Sequence, residues 1–290
     1  MPSVLVFGAS GVVGQFLLPQ LVARGEHVIA LSRQPPASAQ RDDRIEWLRG
    51  DLFADVPPLP AAEIIYSLGP LDAFVDWFER AAPAGVHRVI ALSSMSAESK
   101  RDSSDPAERE LAARLRDAEA RLLQAAQWRT IACTVFRPTL IYGSGRDRSL
   151  ARIARLALRW RVVPIPSGAD GLRQPVHAAD LAAACLAARE NTATFGRTYA
   201  LGGGERLRFD TLIERMRAGL PRYVLPLPVP LWLLARFARG ARAAAVIARL
   251  HAPLIADNAP AARDFGYAPR VFAAQDVLAG PIMRADFPEK

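Results

Sequence analysis

The stretch "VLVFGASGVVG" (residues 4–14) decides the fold, because closely spaced glycines join an apolar run to a helical pattern. Gly8, Gly11 and Gly14 each suit a different role in such a loop. One glycine makes a tight turn, one lets the backbone approach a pyrophosphate, and one lets the helix pack closely against the sheet. The start of the following helix offers free amide N–H groups and a positive dipole to phosphate. We therefore predict a strand, a dinucleotide-binding loop and a helix, in that order.

The first two-thirds of the chain extends this pattern by alternating short β-branched runs with longer helical patterns. Such alternation is typical of a parallel sheet covered by helices on both faces. The predicted fold class is therefore α/β, a Rossmann-type doubly wound parallel sheet with a small C-terminal lobe. The predicted strands are 3–9, 27–33, 45–51, 63–68, 88–94 and 130–138, and the predicted helices between them are 12–24, 71–82 and 106–126.

The pattern becomes less regular after about residue 140. We predict helices at 148–160 and 208–220, and a strand end that runs into a helix at 174–190. The proline-rich stretch 221–230 is interpreted as a semi-rigid connector before a final apolar helical segment. The expected division is a Rossmann domain over 1–145, to which 174–200 returns, and a small substrate lobe from 146–173 and 201–290.

The helix predicted at 106–126 carries clear start signals. Asp105 can cap it, Pro106 suits its first turn, and Glu108 is expected to complete a capping box with Asp105.

The end of the second predicted strand, "ALSRQP" (30–35), indicates which dinucleotide is bound. A free ribose 2′-hydroxyl is normally met by Asp or Glu, and a 2′-phosphate by Arg. This chain has Arg33 there and no acid before Asp42. We therefore predict NADP, with NAD as the alternative in which Arg33 is only a solvated loop residue. Asp51 and Leu52, at the end of the third predicted strand, are expected to flank the adenine.

Composition excludes several classes of protein. An apolar share of 51% with 23% charged residues is typical of a globular chain. The net charge of +8 is almost entirely arginine, since the only lysines are Lys100 and Lys290. We find no zinc-ligand spacing, no RNA-binding aromatic signature and no run of adjacent basic residues. We therefore predict no nucleic-acid partner and no metal.

Targeting signals are also lacking in the sequence. Cys133 and Cys185 lie inside apolar runs and are too few for a disulfide framework, so we expect reduced core residues in a cytoplasmic protein. The N-terminus lacks the basic start and cleavage site of a signal peptide. No window reaches the roughly 20 apolar residues that cross a bilayer. The apolar segment 231–238 could contact a membrane or a partner, but a capping helix on the small lobe is favoured. We expect a monomer or homodimer.

Seven motifs occur in a fixed order over most of the chain: "GASGVVG" (8–14), "GDL" (50–52), "LSSMS" (92–96), "FRPTLIYGSGRD" (136–147), "QPVHAADLAAA" (174–184), "YALGGGERLRFDTLIERM" (199–216) and "AARDFGYAPRVF" (261–272). With these motifs the chain resembles the extended short-chain dehydrogenase/reductase superfamily, which contains NAD(P)-dependent sugar epimerases and dehydratases. The resemblance implies a Rossmann domain with a small substrate lobe.

The resemblance also implies a set of cofactor contacts, carried over position by position. Those around the dinucleotide would be Gly8, Ser10, Gly11, Val12, Val13, Gly14, Arg33, Asp51, Leu52, Ser67, Leu68 and Gly69. Pro138, Thr139 and Leu140 would lie near the nicotinamide.

Family chemistry uses a Ser near the end of the fifth strand and a Tyr-x-x-x-Lys on the next helix. In this chain no tyrosine lies between Tyr66 and Tyr142, and no tyrosine is followed by a lysine four residues later. Aligning the helix on Glu119 puts Leu111 and Leu115 at the two dyad positions. A positioned acid–base group typically contributes about 10²–10⁴ in rate. We therefore predict an atypical catalytic site.

Other residues are candidates for the missing chemistry, each with a structural alternative. Ser94 could bond a substrate carbonyl or merely complete a strand-end turn. Tyr142 could replace the missing proton donor or be a packed aromatic with a solvated hydroxyl. Arg173 and His177 could contact substrate, and Asp180 is expected to cap a helix.

The segment 146–161 contains six arginines and one aspartate. Arg148, Arg152, Arg155 and Arg159 would share one face of a helix. They could clamp an anionic substrate such as a nucleotide diphosphate. They could equally be the solvated face of an amphipathic helix.

We favour an NADP-binding oxidoreductase or epimerase-like protein with an atypical site, acting on a small anionic or amphiphilic substrate. The alternative is a catalytically silent NAD(P)-binding protein that stabilises an assembly or senses redox state. A membrane-associated lipid-modifying reductase is suggested only by the apolar C-terminal segment.

Overall fold

The structure is a computed structural model that describes residues 3–35, 42–230 and 248–279. Its strands, in chain order, are β1 (Ser3–Phe7), β2 (His27–Ser32), β3 (Ile45–Arg49), β4 (Ile64–Ser67), β5 (Arg88–Leu92), β6 (Ala132–Pro138), β7 (Ile141–Tyr142), β8 (Val162–Ser167), β9 (Leu172–Arg173), β10 (Val176–His177), β11 (Arg197–Leu201), β12 (Leu207–Arg208) and β13 (Leu225–Pro230). Its helices are α1 (Gly14–Ala23), α2 (Leu71–Ala81), α3 (Ser96–Ser99), α4 (Pro106–Trp128), α5 (Leu150–Trp160), α6 (Ala178–Ala188), α7 (Phe209–Ala218) and α8 (Ala259–Phe265).

Seven strands form the central sheet in the order β11-β6-β5-β4-β1-β2-β3, and every neighbouring pair is parallel. This order confirms the predicted doubly wound α/β fold. The six predicted strands and the three helices between them are all present, with ends that differ by a few residues. Strand β11, which extends the sheet beside β6, was not among the predicted strands.

Both faces of the sheet are buried, which explains why its strands are almost continuously apolar. Successive residues of β1 alternate between two hydrophobic clusters. Val4 and Val6 pack with residues of α1 and α6, whereas Leu5 and Phe7 pack with residues of α2 and α4. The helices therefore fix the sheet from both sides.

The chain winds in opposite directions from β1, because β2 lies on one side of it and β4 on the other. In open parallel sheets, the crevice beyond the carboxyl ends of the two strands at such a switch point is the usual ligand site. The glycine loop that follows β1 lies at this crevice.

The part of the chain around α5, β8 and α7 has a hydrophobic cluster of its own, which includes Leu150, Val163 and Leu212. We call this part the C-terminal lobe. The predicted division of the chain into two domains remains a prediction.

The interpretation of 221–230 as a connector is wrong, because residues 225–230 form strand β13 in parallel pairing with β8. Prolines alternate with other residues here, so the missing N–H groups all fall on one side of the strand. The opposite side keeps its donors, and the Leu225 amide donates to the carbonyl of Arg161 at 2.9 Å. The final helical segment predicted after residue 230 lies largely outside the described residues.

The start of α4 was predicted partly correctly. Asp105 caps the helix by accepting from the amide of Ala107 at 3.0 Å. The predicted capping box is wrong, because the Asp105 amide donates to the Ser103 hydroxyl instead. The carboxylate of Glu108 instead accepts from the Ser103 hydroxyl at 2.7 Å and pairs with the Lys100 ammonium at 3.2 Å.

Candidate functional site

The loop between β1 and α1 is a tightly packed backbone cradle. Gly8 has φ +72°, and a Cβ there would lie 2.9 Å from the amide nitrogen of Gly69. A Cβ at Gly14 would overlap the carbonyl of Ala9, so α1 can approach the sheet only because this residue is glycine. The Gly11 amide donates to the carbonyl of Gly8 at 2.9 Å, which closes the turn. The tight turn and the close approach of α1 to the sheet are therefore as predicted, and the approach of the backbone to a pyrophosphate remains a prediction.

Three amides of this loop keep their hydrogen-bonding capacity. Within the described parts of the chain, the N–H groups of Ser10, Val12 and Val13 donate to no protein acceptor. They lie at the N-terminus of α1, where the helix dipole adds a positive potential. This arrangement suits a diphosphate.

A cavity of about 480 Å³ lies above the loop, at the carboxyl ends of β1, β2 and β4. It contains eight of the predicted cofactor residues: Gly8, Ser10, Gly11, Arg33, Asp51, Leu52, Leu68 and Gly69. Arg148 also lines it, although the sequence placed that residue on a helix of the lobe. These eight predicted contacts, which come from distant parts of the sequence, therefore converge on one crevice.

A second cavity of about 610 Å³ continues from the first at the end of β2. The two share Ser10, Ser32 and Arg33, and the second is also lined by Gln34, Pro35 and Arg146. The hydroxyls of Ser10 and Ser32 are 2.6 Å apart, which joins the glycine loop to the end of β2.

The remaining predicted cofactor residues do not line these cavities: Val12, Val13, Gly14, Ser67, Pro138, Thr139 and Leu140. The Ser67 hydroxyl at the end of β4 is buried without a hydrogen-bond partner in the described structure. Pro138 accepts from the amide of Met95 at 3.0 Å, and the Thr139 amide donates to Leu201 at 2.9 Å. These two residues therefore lie at the ends of β6 and β11, beside the turn that contains Ser94.

Ser94 lies in the turn from β5 into α3 and is half-buried. Its hydroxyl oxygen accepts from the Ser96 amide at 3.1 Å, so it does complete the turn, as one of the two alternatives expected. The same hydroxyl retains its hydrogen for a further acceptor. Its predicted catalytic role remains a prediction.

The neighbouring Ser93 belongs to a buried ionic cluster that the sequence did not reveal. Its hydroxyl donates to the carboxylate of Glu119 on α4. The guanidinium of Arg137 on β6 also binds Glu119, with its Nε 3.0 Å from both carboxylate oxygens, and binds Glu98 at 2.8 Å. The cluster joins the ends of β5 and β6 to the middle of α4 and fixes the rotation of that helix.

The fixed position of Glu119 also shows where the two positions of the missing Tyr-x-x-x-Lys dyad lie on α4. Leu111 and Leu115 precede Glu119 by eight and four residues, so all three lie on one side of α4. Both leucines are half-buried. On the side of α4 that faces the sheet, the two predicted dyad positions therefore carry leucines, which cannot donate a proton.

The ring of Tyr142 is fully buried in the C-terminal lobe. Its hydroxyl accepts from the amide of Ala273 at 3.0 Å and lies 3.5 Å from the carbonyl of Val271. Burial raises the pKa of this phenol to about 12. These contacts favour the packed aromatic over the proton donor.

His177 is also buried, and it caps α6. Its Nδ1 accepts from the amide of Ala179 at 3.0 Å, which requires the neutral form, and burial lowers its pKa. The prediction that Asp180 caps a helix is wrong, because its carboxylate accepts from the backbone amide and Nε of Arg270. The N-cap of α6 is therefore His177, whereas the residues usually found at an N-cap are Ser, Thr, Asp and Asn.

Arg173 is nearly buried and fastens the segment that follows residue 247. Its Nη1 donates to the carbonyls of Leu172 at 2.9 Å and Ala252 at 2.8 Å, and its guanidinium lies 5.2 Å from the ring centre of Phe209. It also lines a cavity of about 540 Å³ with Ser96, Lys100, Glu108 and Arg249. Its predicted contact with substrate remains open.

The arginine-rich segment divides into two parts. Arg148 precedes the helix, which begins at Leu150, so the predicted single face of four arginines is wrong. Arg152 and Arg159 are exposed on α5, as expected of a solvated face. The arginines that precede the helix instead reach the two cavities of the crevice.

Among the described residues no helix is long and apolar enough to cross a membrane. In the same part of the chain no three His, Cys, Asp or Glu side chains are grouped so that they could hold a metal ion.

Comparison with known proteins gives sequence relatives of two kinds, although no family model matches the chain. It is 27% identical over 257 residues to mitochondrial NADH dehydrogenase (ubiquinone) 1 alpha subcomplex subunit 9 of Arabidopsis thaliana, which covers 77% of this chain. The chain spans only 60% of the length of that relative. It is 20% identical over 299 residues to UDP-glucose 4-epimerase of Vibrio cholerae, which covers 92% of this chain and 90% of the epimerase.

Solved structures with the same fold include sugar-nucleotide epimerases. UDP-glucuronic acid 4-epimerase from Bacillus cereus, in complex with UDP-glucuronic acid and NAD, matches with a TM-score of 0.71 at 15% identity, covering 96% of this chain and 97% of that one. MoeE5 in complex with UDP-glucuronic acid and NAD matches with a TM-score of 0.72 at 18% identity, covering 99% and 100%. The resemblance that the motifs carry is thus confirmed, since the chain is similar in sequence to an epimerase and shares the fold of sugar-nucleotide epimerases.

Proposed function

We propose that the protein is an NADP-binding oxidoreductase or epimerase-like enzyme with an atypical catalytic site. The observation that carries the proposal is the crevice at the switch point of the sheet. There the Gly8 turn touches the backbone at Gly69, and three loop amides are free to donate. The structural neighbours that are complexes with NAD support the coarser part of the proposal, a nicotinamide dinucleotide in this crevice.

The residues present fit a dinucleotide. A Cβ at Gly8 would press against the backbone of Leu68 and Gly69, so glycine is what lets these two loops meet at the floor of the crevice. The amides of Ser10, Val12 and Val13 would bind the diphosphate, and Asp51 and Leu52 would flank the adenine. When bound, the nicotinamide supplies hydride transfer. The protein's own residues bind and orient it.

The NADP preference is supported by charge at the end of β2. The cavity that continues from Ser32 and Arg33 has no carboxylate among its described lining residues. The 2′-hydroxyl of NAD would therefore lack its usual acidic partner, whereas a 2′-phosphate would meet Arg33. Asp51 does line the neighbouring cavity, but its Oδ1 accepts from the Phe53 amide at 3.1 Å and serves the local turn.

The proposed substrate is small and anionic or amphiphilic. The cavity lined by Ser96, Lys100 and Arg173 lies beside the turn that contains Ser94, between residues 96–108 and the segment after residue 247. Its serines and its three cations offer donors to an anionic group, and the carboxylates of Glu98, Asp102 and Glu108 line the same cavity and balance its charge. The structural neighbours bind UDP-sugars, which carry such a group.

A panel of substrates tests whether the site is active. Purified protein is mixed with NADPH or NADP⁺ and a panel of carbonyl compounds and UDP-sugars, while absorbance of the reduced cofactor and epimer formation are followed. We expect turnover that Ser94→Ala lowers about 10–100-fold and Tyr142→Phe leaves within about 3-fold, because only the Ser94 hydroxyl keeps a free donor. Tight cofactor binding without turnover of any compound would favour the catalytically silent alternative.

A further inference from the structure

We propose that Arg146, in the segment that leads into the C-terminal lobe, is a second ligand for the 2′-phosphate of NADP. This inference rests on the proposed function, because it requires a dinucleotide in the crevice. It adds a specificity residue that lies more than 100 positions from the end of β2 in sequence.

The position of Arg146 supports this assignment. It lines the second cavity together with Ser10, Ser32 and Arg33, so the cavity has cations from two separate segments. In dinucleotide-binding sheets the 2′ position of the adenosine ribose points to the end of the second strand, where Ser32 and Arg33 stand. A phosphate in this cavity would therefore be in a site that both Arg33 and Arg146 line.

The segment that holds Arg146 is fixed in the protein by its own contacts. The buried Asp147 carboxylate accepts from the amide of Ser149 at 3.2 Å and from that of Ala151 at 3.0 Å. The Arg146 amide donates to the Ser144 hydroxyl at 3.0 Å, and Arg155 donates to the carbonyl of Gly145. Arg146 is thus held in place at its backbone while its side chain is exposed. Such preorganisation lowers the entropy lost when an anion binds.

The guanidinium groups of this region differ in whether they are hydrogen-bonded to the protein. Arg155 and Arg161 in the same segment donate to backbone carbonyls. No hydrogen bond or ion pair within residues 3–35, 42–230 and 248–279 engages the side chains of Arg33, Arg146 or Arg148. Three unpaired guanidinium groups around one crevice repel each other, and a bound phosphate offsets that repulsion.

Arg146 and Arg148 face different parts of the crevice. Arg148 lines the first cavity with Leu52, Gly69 and other residues that would contact parts common to NAD and NADP. Arg146 lines only the second cavity. The two arginines should therefore differ in their effect on cofactor preference, although they are two residues apart.

Isothermal titration calorimetry of the full chain tests this assignment. NADP⁺, NAD⁺, adenosine 2′,5′-bisphosphate and 5′-AMP are titrated into the unmodified protein and into Arg146→Ala, Arg33→Ala, Arg148→Ala and Arg152→Ala. Arg152 is exposed on α5 outside both cavities, so its variant controls for the loss of one positive charge. Circular dichroism confirms that each variant is folded.

We expect Arg146→Ala to weaken NADP⁺ and the bisphosphate about 10-fold or more, and NAD⁺ and 5′-AMP by less than about 2-fold. Arg148→Ala should weaken NADP⁺ and NAD⁺ to a similar degree, and Arg152→Ala should change neither. Equal losses for NADP⁺ and NAD⁺ in Arg146→Ala, or no loss, would overturn the assignment and leave the proposed function intact. If the unmodified protein bound none of the four compounds, the proposed function itself would fail.

Discussion

The arginines at the two ends of the central sheet differ in burial and in hydrogen bonding. Arg88, at the amino end of β5, is 1% exposed, and all its guanidinium nitrogens donate to protein oxygens. Arg33, Arg146 and Arg148, at the carboxyl end, are exposed and surround the crevice. A guanidinium whose donors are all used stabilises the fold, whereas one whose donors are free can bind a ligand. The arginines with free donors lie at the end of the sheet where we propose that the dinucleotide binds.

The contacts of Arg88 show what a saturated guanidinium does. It donates to the carbonyls of Arg189 and Ala188 at the end of α6 and to the hydroxyls of Thr134 and Thr194, all at 2.7–3.0 Å. Burial lowers its pKa to about 10, which still leaves it charged at neutral pH. It joins α6 to β5 and β6 where helix carbonyls would otherwise lack donors.

The largest expected effect is on stability at Arg88. Arg88→Met should lower the free energy of unfolding by about 3–5 kcal/mol, because several buried carbonyls and hydroxyls lose their donor at once. Chemical denaturation measures it. The matched variant Arg146→Met should change stability by less than about 0.5 kcal/mol. Similar losses in both variants would contradict the contrast between the two ends of the sheet.

The next effect is on binding at the glycine cradle. Gly8→Ala should weaken both NADP⁺ and NAD⁺ by about 100-fold or more, because the methyl group would press on the backbone of Gly69 and the positive φ disfavours alanine. Gly196→Ala is the control, since Gly196 has φ +68° but no atom within 4 Å of its added Cβ. It should lose stability without losing cofactor. Equal cofactor affinity in the two variants would contradict the assignment of the loop.

Arg33→Ala should change cofactor preference. We expect NADP⁺ to be weakened about 10–100-fold and NAD⁺ by less than about 3-fold, because only the 2′-phosphate needs the guanidinium. Competition binding with both cofactors measures the ratio. An equal loss of both would remove Arg33 from the phosphate site.

The smallest effect concerns a carboxylate held by cations, Glu108. Burial acts to raise the pKa of this group, but hydrogen bonds from Ser103 and Lys100 outweigh it and hold the pKa below its usual 4.5. A lowered pKa in the folded state adds stability that is present above pH 4.5 and is lost as the pH falls through the folded pKa. Glu108→Gln should therefore lower the free energy of unfolding by about 1 kcal/mol at pH 7.

Denaturation at a series of pH values checks this prediction. The difference between the unmodified protein and Glu108→Gln should shrink as the pH falls below 4.5. A difference that stayed constant down to pH 3 would show that packing, and not charge, stabilises this position.

Sequence patterns located the sheet well, because buried parallel strands are short apolar runs separated by helices and turns. The three glycines of the first loop identified the cradle, because only glycine fits those backbone positions. Strand β13 escaped prediction because proline usually excludes a strand, and only the pairing with β8 shows that its missing donors face away.

The site was predicted less completely, because its residues meet through tertiary structure. Helical spacing put Arg148 on the face of α5, but the helix begins only at Leu150, and Arg146 and Arg148 precede it and line the crevice. The buried carboxylate of Asp147 holds this turn by accepting from the Ala151 amide. The bond between Glu119 and Arg137 links a helix to a strand, and local patterns carry no signal for it.

The central claim is that the crevice beside Gly8 binds NADP. Isothermal titration of the unmodified protein with NADP⁺ and NAD⁺ tests it most directly. The account predicts saturable heat for both cofactors, with NADP⁺ bound at least about 10-fold more tightly. No heat with either cofactor, or tighter binding of NAD⁺, would contradict it.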